Sequence, residues 1–347
     1  MRVLFWGTPA YAVPTLNALL NAGHEIVGVV SQPDRRRGRG ATLQASPVKL
    51  CASKEGLTVF TPQCIRRDPD MQKCIANCNA DLSVVVAFGQ LLPKQVLQQP
   101  PLGCWNGHGS LLPRWRGAAP VQWSLLNGDA KTGVGVMAME EELDTGPLLL
   151  QQQQPIGLLQ NAEELARCLS YLTADLMVEA LPRIESAGAG PEPERWDRLG
   201  VKPQKCLGGE ATYTRLLNKE DYYIDWFRQT LEIHRRVMAL YPHAVCRWRG
   251  LRLKVQATEP LIIELRDQLS SEVRGIFDWH TGLMEGEPGE VISIVKGLGA
   301  IVATGGDHPI LIRQAQVENK ATAMGETLLQ QMRPSLGERL LSLQSST

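Results

Sequence analysis

The chain between residues 2 and 187 alternates short apolar runs with helix-like segments, and this alternation limits its fold more than any other feature. The clearest run, residues 82–88 (LSVVVAF), is rich in β-branched side chains and lies between Asp81 and Gly89. Such a run is typical of a central strand that is covered on both faces. Strands that alternate with helices of this length predict an α/β fold with a doubly wound, mostly parallel sheet. Ligands of such sheets bind beyond the carboxyl ends of the strands.

Further segments of the first half fit the same architecture. A helix is expected from Pro14 to Asn21, because proline fits the first turn of a helix. Asn161 and Glu164 have the spacing of a capping box and predict a second helix that begins beside them. Three more apolar runs are predicted strands: 3–6, 25–31 and 133–139.

The alternation of apolar runs and helix-like segments ends at residue 188. Residues 189–208 contain Pro191, Pro193 and Pro203 and show little periodicity, so they are predicted to be a linker. The predicted division is a first domain at 1–188, this linker, a second domain at 209–333 and a tail at 334–347.

The second domain is predicted to be a small C-terminal β-barrel. A helix is expected at 219–240, with Trp226 and His234 on its inner face. Five short runs after it are predicted strands: 245–248, 251–257, 290–295, 300–303 and 309–315. Five strands after a helix favour a barrel of the oligonucleotide-binding (OB) kind, with residues 261–285 as an insertion.

The charge balance excludes some classes of protein. Lys plus Arg number 36 and Asp plus Glu number 36, so the formal net charge is zero. A protein that coats nucleic acid over its whole surface is therefore not expected, although a local basic patch is compatible with the count. No window of 18 apolar residues indicates a membrane span, and the N-terminus lacks the apolar stretch of a signal peptide. We expect a cytoplasmic protein and a monomer.

Cysteine and histidine spacing predicts no metal site. The eight cysteines form no C-x-x-C pair and the six histidines form no H-x-x-x-H pair. The cysteines are expected to be small buried hydrophobic residues in a reducing compartment. Neither G-x-G-x-x-G nor G-K-S/T occurs, which argues against a dinucleotide or nucleoside triphosphate as the ligand.

Residues 104–122 (CWNGHGSLLPRWRGAAPVQ) contain the chemically unusual segment. Asn106, His108 and Ser110 alternate, so on an extended chain their side chains point to one face. An amide can stabilise an oxyanion and an imidazole can move a proton, as carbonyl chemistry requires. Asp144 follows the predicted strand 133–139 and can orient an imidazole. Structural roles are also possible for these residues. His108 can be a buried structural histidine, Asn106 can cap a turn and Asp144 can cap the next helix.

The same residues carry a resemblance to a known family. Asn106-x-His108-x-Ser110-Leu-Leu-Pro, with RGAAP at 116–120 and LDTG at 143–146, resembles the signature of the 10-formyltetrahydrofolate-dependent formyltransferases. The run FWGTP at 5–9, the segment from residue 32 to 49 and the run from Thr212 to Arg236 resemble the branch of that family that acts on methionyl-tRNA.

The resemblance implies a Rossmann-like formyltransferase fold and specific roles. It implies that Asn106, His108 and Asp144 are catalytic and that no metal is needed. It implies a folate-binding segment made of Ser110, Leu111, Leu112 and Pro113, with 10-formyltetrahydrofolate as formyl donor and initiator methionyl-tRNA as acceptor. The product would serve translation initiation.

The chain departs from the family at three places. Leu216 stands where a lysine is usual, and Gly135 stands where Thr or Ser is usual. Gly107 and Gly109 flank His108 where bulkier residues are common, so this segment is expected to be looser.

Two basic clusters are the predicted tRNA contacts. Residues 35–54 and residues 233–258 each contain six basic side chains and no acidic one. Such runs of charge usually form a solvent-exposed face that binds nothing. The resemblance implies instead that these side chains contact the phosphates of a tRNA. By resemblance, Arg39 contacts the acceptor end of the tRNA. The other predicted contacts are Arg35, Arg36, Arg37, Lys49, Arg247 and Arg249.

Three other functions are carried as alternatives. The first is a formyltransferase of the same family that acts on a sugar-nucleotide or another small amine. The second is a hydrolase with Ser110, His108 and Asp144 as a triad, although Ser110 lies on no G-x-S-x-G turn. The third is a non-catalytic RNA-binding protein.

Overall fold

A computed structural model describes residues 1–37, 42–280 and 286–343. The chain divides into two compact units. The first comprises Met1–Pro120, Lys131–Gln154 and Ala166–Thr214, and the second comprises Val121–Ala130, Pro155–Leu165 and Arg215–Thr347.

The N-terminal part alternates strands and helices as its sequence predicts. In chain order the elements are β1 (Arg2–Gly7), α1 (Val13–Asn21), β2 (Glu25–Val30), β3 (Arg35–Arg37), β4 (Thr42–Gln44), α2 (Pro47–Lys54), β5 (Val59–Phe60), α3 (Pro69–Ala76), β6 (Leu82–Val86), α4 (Lys94–Leu97), β7 (Cys104–His108), β8 (Arg116–Gly117), α5 (Pro120–Asn127), β9 (Lys131–Ala138), β10 (Leu148–Pro155), α6 (Ala162–Ala187), α7 (Glu192–Leu199) and β11 (Tyr213–Thr214).

The first unit is built on a seven-stranded sheet with strand order β10-β9-β7-β6-β1-β2-β5. β1 pairs in parallel with β2 and with β6, and β6 pairs in parallel with β7, whereas β7 and β9 are antiparallel. All five residues of β6 are buried, as expected for a central strand with both faces covered. The predicted mostly parallel, doubly wound sheet is confirmed.

Two segments of the first unit differ from their sequence expectations. β10 was not predicted, because it lies at the edge of the sheet and its residues 151–153 are exposed glutamines without an apolar alternation. The expected linker contains α7, which has a proline in its first turn and ends at Gly200 in the left-handed conformation (φ +62°). Proline and glycine act here as start and stop signals of a helix.

The capping box at the start of α6 has the predicted geometry. The Asn161 side chain accepts a hydrogen bond from the Glu164 N–H at 2.9 Å, and the Glu164 carboxylate accepts one from the Asn161 N–H at 3.1 Å. The two bonds satisfy backbone donors that the first turn of a helix leaves without partners.

The second unit contains an antiparallel sheet that curls into a half-barrel. Its main elements are α8 (Thr230–Ala239), β12 (Val245–Trp248), β13 (Leu251–Pro260), α9 (Ser271–His280), β14 (Val291–Val295), β15 (Gly299–Val302), β16 (Ile310–Val317), β17 (Ala323–Met324), α10 (Gly325–Met332) and β18 (Leu340–Leu341). The strand order is β14-β15-β16-β13-β12-β18, and β17 pairs with β16. A bridge between Glu290 and Arg339 brings the two edges of the sheet together.

The five predicted barrel strands correspond to β12 to β16, and residues 261–280, the described part of the expected insertion, lie between β13 and β14 in the chain. The helix expected at 219–240 is shorter than predicted. Only Thr230–Ala239 is α-helical, and a 3-10 turn at Glu220–Tyr222 precedes it. Trp226 and His234 are buried nonetheless.

The expectation that the cysteines are buried is wrong for six of the eight. Cys104 and Cys246 are buried, whereas Cys51 and Cys78 are half-buried and the others are exposed: Cys64, Cys74, Cys168 and Cys206. None of the eight cysteines, all of which lie within the described residues, forms a disulfide bond. Among the helices of the described residues, none is both long and apolar enough to cross a membrane.

Candidate active site

β7 brings Asn106 and His108 to one face of the sheet of the first unit. They alternate along the strand, which lies between β6 and β9. Gly107 faces the opposite side, where a Cβ atom would come within 2.5 Å of the Thr173 Cγ2 in α6. The glycine therefore allows close packing between strand and helix, and the segment is tightly packed instead of loose as its sequence suggested.

Asp144 reaches both of these side chains from the loop between β9 and β10. One carboxylate oxygen accepts a long hydrogen bond of 3.4 Å from the Asn106 amide, and the other lies 3.6 Å from His108 Nδ1. The second oxygen also accepts a hydrogen bond of 2.8 Å from the Gly117 N–H. The His108 and Asp144 side chains are only 7% and 10% exposed, so solvent screens their interaction weakly.

The loop around Asp144 has an unusual backbone. Asp144 adopts a left-handed conformation with φ +53°, which few residues other than glycine and Asn or Asp adopt. Two residues later, a Cβ atom on Gly146 would lie 1.8 Å from the Ala138 carbonyl oxygen, so only glycine fits there. The shape of the loop therefore requires Gly146 and favours an aspartate at position 144.

The segment after β7 faces the other edge of the His108 ring. His108 Nε2 lies 2.9 Å from the Trp115 carbonyl oxygen. The Ser110 hydroxyl is fully buried and donates to the Arg114 carbonyl oxygen at 2.7 Å. Because the serine proton and the outer ring nitrogen both face backbone carbonyls, the geometry does not support Ser110 as a nucleophile activated by His108.

The residues of the predicted folate-binding segment differ in burial. Leu112 is buried and packs with Met137 and Leu148, and Leu111 is half-buried. The Leu112–Pro113 peptide bond is cis. A cleft of about 420 Å³ lies next to the Asp144 loop, and its lining includes Arg116, Thr145 and Gln204 but none of residues 110–113.

The sequence analysis did not predict the residues that support the Asp144 loop through hydrogen bonds. Gln204, in the expected linker, donates hydrogen bonds to the carbonyl oxygens of Asp144 and Gly146, and its own oxygen accepts from Arg116. Arg116 and the Gly117 N–H belong to the RGAAP run at 116–120. No sequence pattern could have predicted the contact of Gln204 with the Asp144 loop, because the two residues are 60 positions apart in the chain.

The predicted N-terminal tRNA contacts lie around a hairpin. Arg35 and Arg36 are exposed on β3, which pairs with β4. The Arg37 side chain and the whole of Arg39 lie outside the described residues. Lys49 is half-buried, and its ammonium group pairs with Asp34 at 2.8 Å.

The predicted C-terminal tRNA contacts differ from each other. Arg247 is exposed and bonds the Gly250 carbonyl oxygen. The Arg249 guanidinium donates to both carboxylate oxygens of Glu338, from Nε to Oε1 at 2.9 Å and from Nη2 to Oε2 at 2.7 Å. Arg252, in the same cluster, pairs with Glu318 at 3.2 Å. The cluster without acidic residues in sequence thus acquires acidic partners from distant parts of the chain.

Leu216 and Gly135, the other departures from the family pattern, have different surroundings. Leu216 is 77% exposed. A Cβ atom on Gly135 would come within 2.6 Å of the Leu148 side chain, so a larger residue there requires local repacking. Across residues 1–37, 42–280 and 286–343, no group of three or more His, Cys, Asp or Glu side chains is arranged to hold a metal ion.

Comparison with known proteins places this geometry in a family. The family described as "Formyl transferase" matches residues 1–181, and "Formyl transferase, C-terminal domain" matches residues 216–333. The chain belongs to the formyl transferase family. Among the most similar relatives of this formyl transferase are two named methionyl-tRNA formyltransferase. That of Synechococcus sp. (strain RCC307) is 60% identical over 336 residues, covering 96% of this chain and 100% of the relative. That of Prochlorococcus marinus (strain MIT 9313) is 57% identical over 339 residues, covering 97% and 98%.

Solved structures support the fold of this formyl transferase. HypX from Aquifex aeolicus, solved in complex with tetrahydrofolic acid, matches with a TM-score of 0.58 at 16% identity over 97% of this chain. The chain spans about half of HypX, 48% of its length. An N-formyltransferase from Helicobacter canadensis, solved with folinic acid and dTDP-3-aminofucose, gives a TM-score of 0.57 at 14% identity, covering 90% of this chain and 98% of that one.

Proposed function

We propose that this formyl transferase transfers the formyl group of 10-formyltetrahydrofolate to the α-amino group of initiator methionyl-tRNA. The observation that carries the chemistry is the Asp144 carboxylate, which lies between the Asn106 amide and the His108 imidazole at 3.4 and 3.6 Å. An amide donor, an imidazole and a carboxylate at the carboxyl end of a strand suit attack on a carbonyl carbon.

Each of the three residues has a separate task in the proposed reaction. The Asn106 amide donates a hydrogen bond to the formyl oxygen as negative charge develops on it. His108 moves the proton that the attacking amine loses toward the folate nitrogen that departs, and for this its Nε2 exchanges the Trp115 carbonyl oxygen for the substrate. Asp144 orients the ring of His108, from which its carboxylate lies 3.6 Å away. The new bond joins the amine nitrogen to the formyl carbon, the bond from that carbon to the folate nitrogen breaks, and one proton passes from the amine to the folate nitrogen.

The choice of acceptor has its own support. The relatives named methionyl-tRNA formyltransferase match the chain over nearly its whole length, including the part that carries the half-barrel. The sugar-nucleotide alternative has support only at the level of fold, through structures at about 15% identity. We therefore favour methionyl-tRNA as the acceptor, and further propose that the enzyme works as a monomer in the cytoplasm.

A direct assay tests the proposal. The protein is incubated with 10-formyltetrahydrofolate and one of three acceptors: methionyl initiator tRNA, the same tRNA without methionine, and a dTDP-amino sugar. We expect formyl-methionine, recovered after mild alkaline release from the tRNA, only with the first acceptor. Equal or faster formylation of the amino sugar would favour the alternative, and release of formate without any acceptor would indicate a hydrolase.

A further inference from the structure

Gln204 occupies a central position behind the Asp144 loop. It begins a 3-10 turn at Gln204–Cys206 and is only 4% exposed. Its amide nitrogen donates to the carbonyl oxygens of Asp144 and Gly146, each at 2.8 Å. Its amide oxygen accepts two hydrogen bonds from the Arg116 guanidinium, at 3.0 and 2.8 Å. Both donors and the acceptor of this one side chain are therefore in use.

The bonds of Gln204 connect the two backbone segments that fix the Asp144 carboxylate. On one side it holds the loop at Asp144, whose left-handed backbone requires support from its surroundings. On the other side it holds Arg116, and the next residue, Gly117, donates its N–H to the Asp144 carboxylate at 2.8 Å. Gln204 therefore fixes the position of the Asp144 carboxylate in two ways. It binds the backbone of the Asp144 loop, and through Arg116 it holds the segment whose Gly117 N–H binds the carboxylate.

We propose that Gln204 is a positioning residue for formyl transfer, which keeps the Asp144 carboxylate directed at His108 and Asn106. The inference rests on the proposed function, since formyl transfer is the activity that it modulates. Gln204 touches none of the reacting atoms in this arrangement. It acts through the two carbonyl oxygens that it binds, and its effect on the reaction requires the Asp144 side chain.

Two substitutions separate the donors of Gln204 from its acceptor. Gln204→Glu keeps the shape and both bonds from Arg116 but loses the donors to Asp144 and Gly146. Gln204→Met removes donors and acceptor without a buried charge, and it carries the same test if Gln204→Glu does not fold. We expect each to lower kcat by about 10- to 100-fold, because small displacements of a catalytic group have large effects. KM for the folate and for the tRNA is expected to stay within about twofold of the wild type.

A matched control addresses general loss of structure. Gln72→Glu removes an equivalent bond from a glutamine amide to a backbone carbonyl, that of Ile65 at 2.7 Å, in α3. It is expected to lower stability without lowering kcat.

A double-mutant cycle tests whether Gln204 acts through Asp144. Asp144→Gly deletes the carboxylate and tolerates the left-handed backbone. In this background, under single-turnover conditions, adding Gln204→Glu is expected to change the rate by less than about twofold, because no carboxylate is left to position. A merely structural role would instead lower the rate by the same factor in both backgrounds.

The outcomes discriminate between the inference and the function on which it rests. Wild-type kcat in both Gln204 variants, a loss confined to KM, or an equal loss in the Asp144→Gly background would overturn the inference while leaving formyl transfer intact. If the wild-type protein formylates no methionyl-tRNA, the proposed function fails instead. The ¹⁵N resonances of the His108 ring then still report on Gln204, and resonances unchanged by both Gln204 variants would overturn the inference.

Discussion

Each of the two units buries a histidine, and the two histidines have different partners. His108 in the first unit has a carboxylate, that of Asp144, 3.6 Å from one ring nitrogen. In the second unit, His234 bonds the Thr258 hydroxyl at 2.9 Å and the Leu158 carbonyl oxygen at 2.8 Å, so its two ring nitrogens face uncharged oxygens. Burial and two polar contacts are common to both residues, so neither property identifies a catalytic histidine.

The partner of the ring decides what each histidine can do. Burial lowers the pKa of His234 to about 4, so this ring stays neutral near pH 7 and acts as a fixed part of the half-barrel. His108 instead faces a carboxylate, the partner that would orient its ring for the proposed proton transfer. We therefore expect the carboxylate partner to distinguish the proposed catalytic histidine, His108, from the structural histidine, His234.

The largest effect is expected at the carboxylate–imidazole pair. His108→Ala and Asp144→Asn are each expected to lower kcat by about 100- to 10,000-fold, the range for loss of general acid–base catalysis. Because the two residues act as a unit, the double variant should be little slower than the slower single variant. Steady-state kinetics and circular dichroism check rate and fold. Near-wild-type turnover in either single variant would remove the basis of the comparison.

Asn106 provides the second test of the active site. Asn106→Asp keeps the size of the side chain but replaces a donor with a negative charge, which would face both the Asp144 carboxylate and the developing oxyanion. We expect Asn106→Ala to cost about 100- to 1,000-fold in kcat and Asn106→Asp to cost more. If the aspartate variant is the faster of the two, Asn106 has a structural role only.

His234 is expected to affect stability and not catalysis. The unfolded chain binds a proton at this residue below about pH 6.5, whereas the folded chain does so only near pH 4. Stability from the neutral ring is therefore complete above pH 6.5 and decreases as pH falls toward 4, by about 3 kcal/mol in total. Denaturant unfolding of the wild type and of His234→Gln at pH 7, 5.5 and 4.5 should show a smaller pH dependence in the variant.

The kinetics of the same variant sharpen the contrast with His108. At pH 7 and 25 °C, folded His234→Gln should have a kcat within about twofold of the wild type. A loss comparable to that of His108→Ala, in a variant that remains folded, would show that a carboxylate partner does not distinguish the two histidines.

The smallest effects are expected for tRNA binding by the C-terminal basic cluster, where the effect of each arginine depends on whether it is already paired with a carboxylate. Arg247 donates to the Gly250 carbonyl oxygen, whereas Arg249 forms a close ion pair with Glu338. If both face tRNA, Arg247→Ala should reduce the salt dependence of binding by about one phosphate contact and Arg249→Ala by less. Glu338→Gln should make the salt dependence steeper, because it releases Arg249. Filter binding over a series of salt concentrations checks all three variants, and equal slopes throughout would argue against a tRNA contact at this cluster.

The acceptor-end contact stays a separate prediction for Arg39. Arg39→Ala is expected to reduce discrimination between initiator and other methionylated tRNAs, since a contact at the acceptor end would read the tRNA, whereas the cluster near Arg247 would hold only its backbone. Unchanged discrimination would leave Arg39 with no role in selection.

The sequence predicted those parts of the site that depend on local periodicity. Asn106 and His108 share a face because side chains alternate along a strand, whatever the rest of the fold does. The capping box of Asn161 and Glu164 spans a single helical turn, and its two bonds formed as predicted. Residues 82–88 likewise indicated a central strand through composition alone.

Patterns without a unique local meaning led to the errors. The glutamine-rich β10 lacks apolar alternation because it is an exposed edge strand. The prolines and glycines of residues 189–208 suit a linker and a capped helix equally well, and packing selected the helix. The absence of acidic residues near Arg249 in sequence says nothing about Glu338, which is 89 residues away in the chain.

By itself, the sequence determined the sheet, the barrel strands, the alternation of Asn106 and His108 and the glycine that the Asp144 loop needs. The tertiary structure decided which groups these residues face: the carboxylate beside His108, the pairing of the arginines and the bonds of Gln204 to the Asp144 loop. The physical reason is range. Backbone preferences and side-chain periodicity act over a few residues and leave a pattern in the sequence, whereas hydrogen bonds and ion pairs act over about 3 Å in space. Their partners can stand anywhere along the chain.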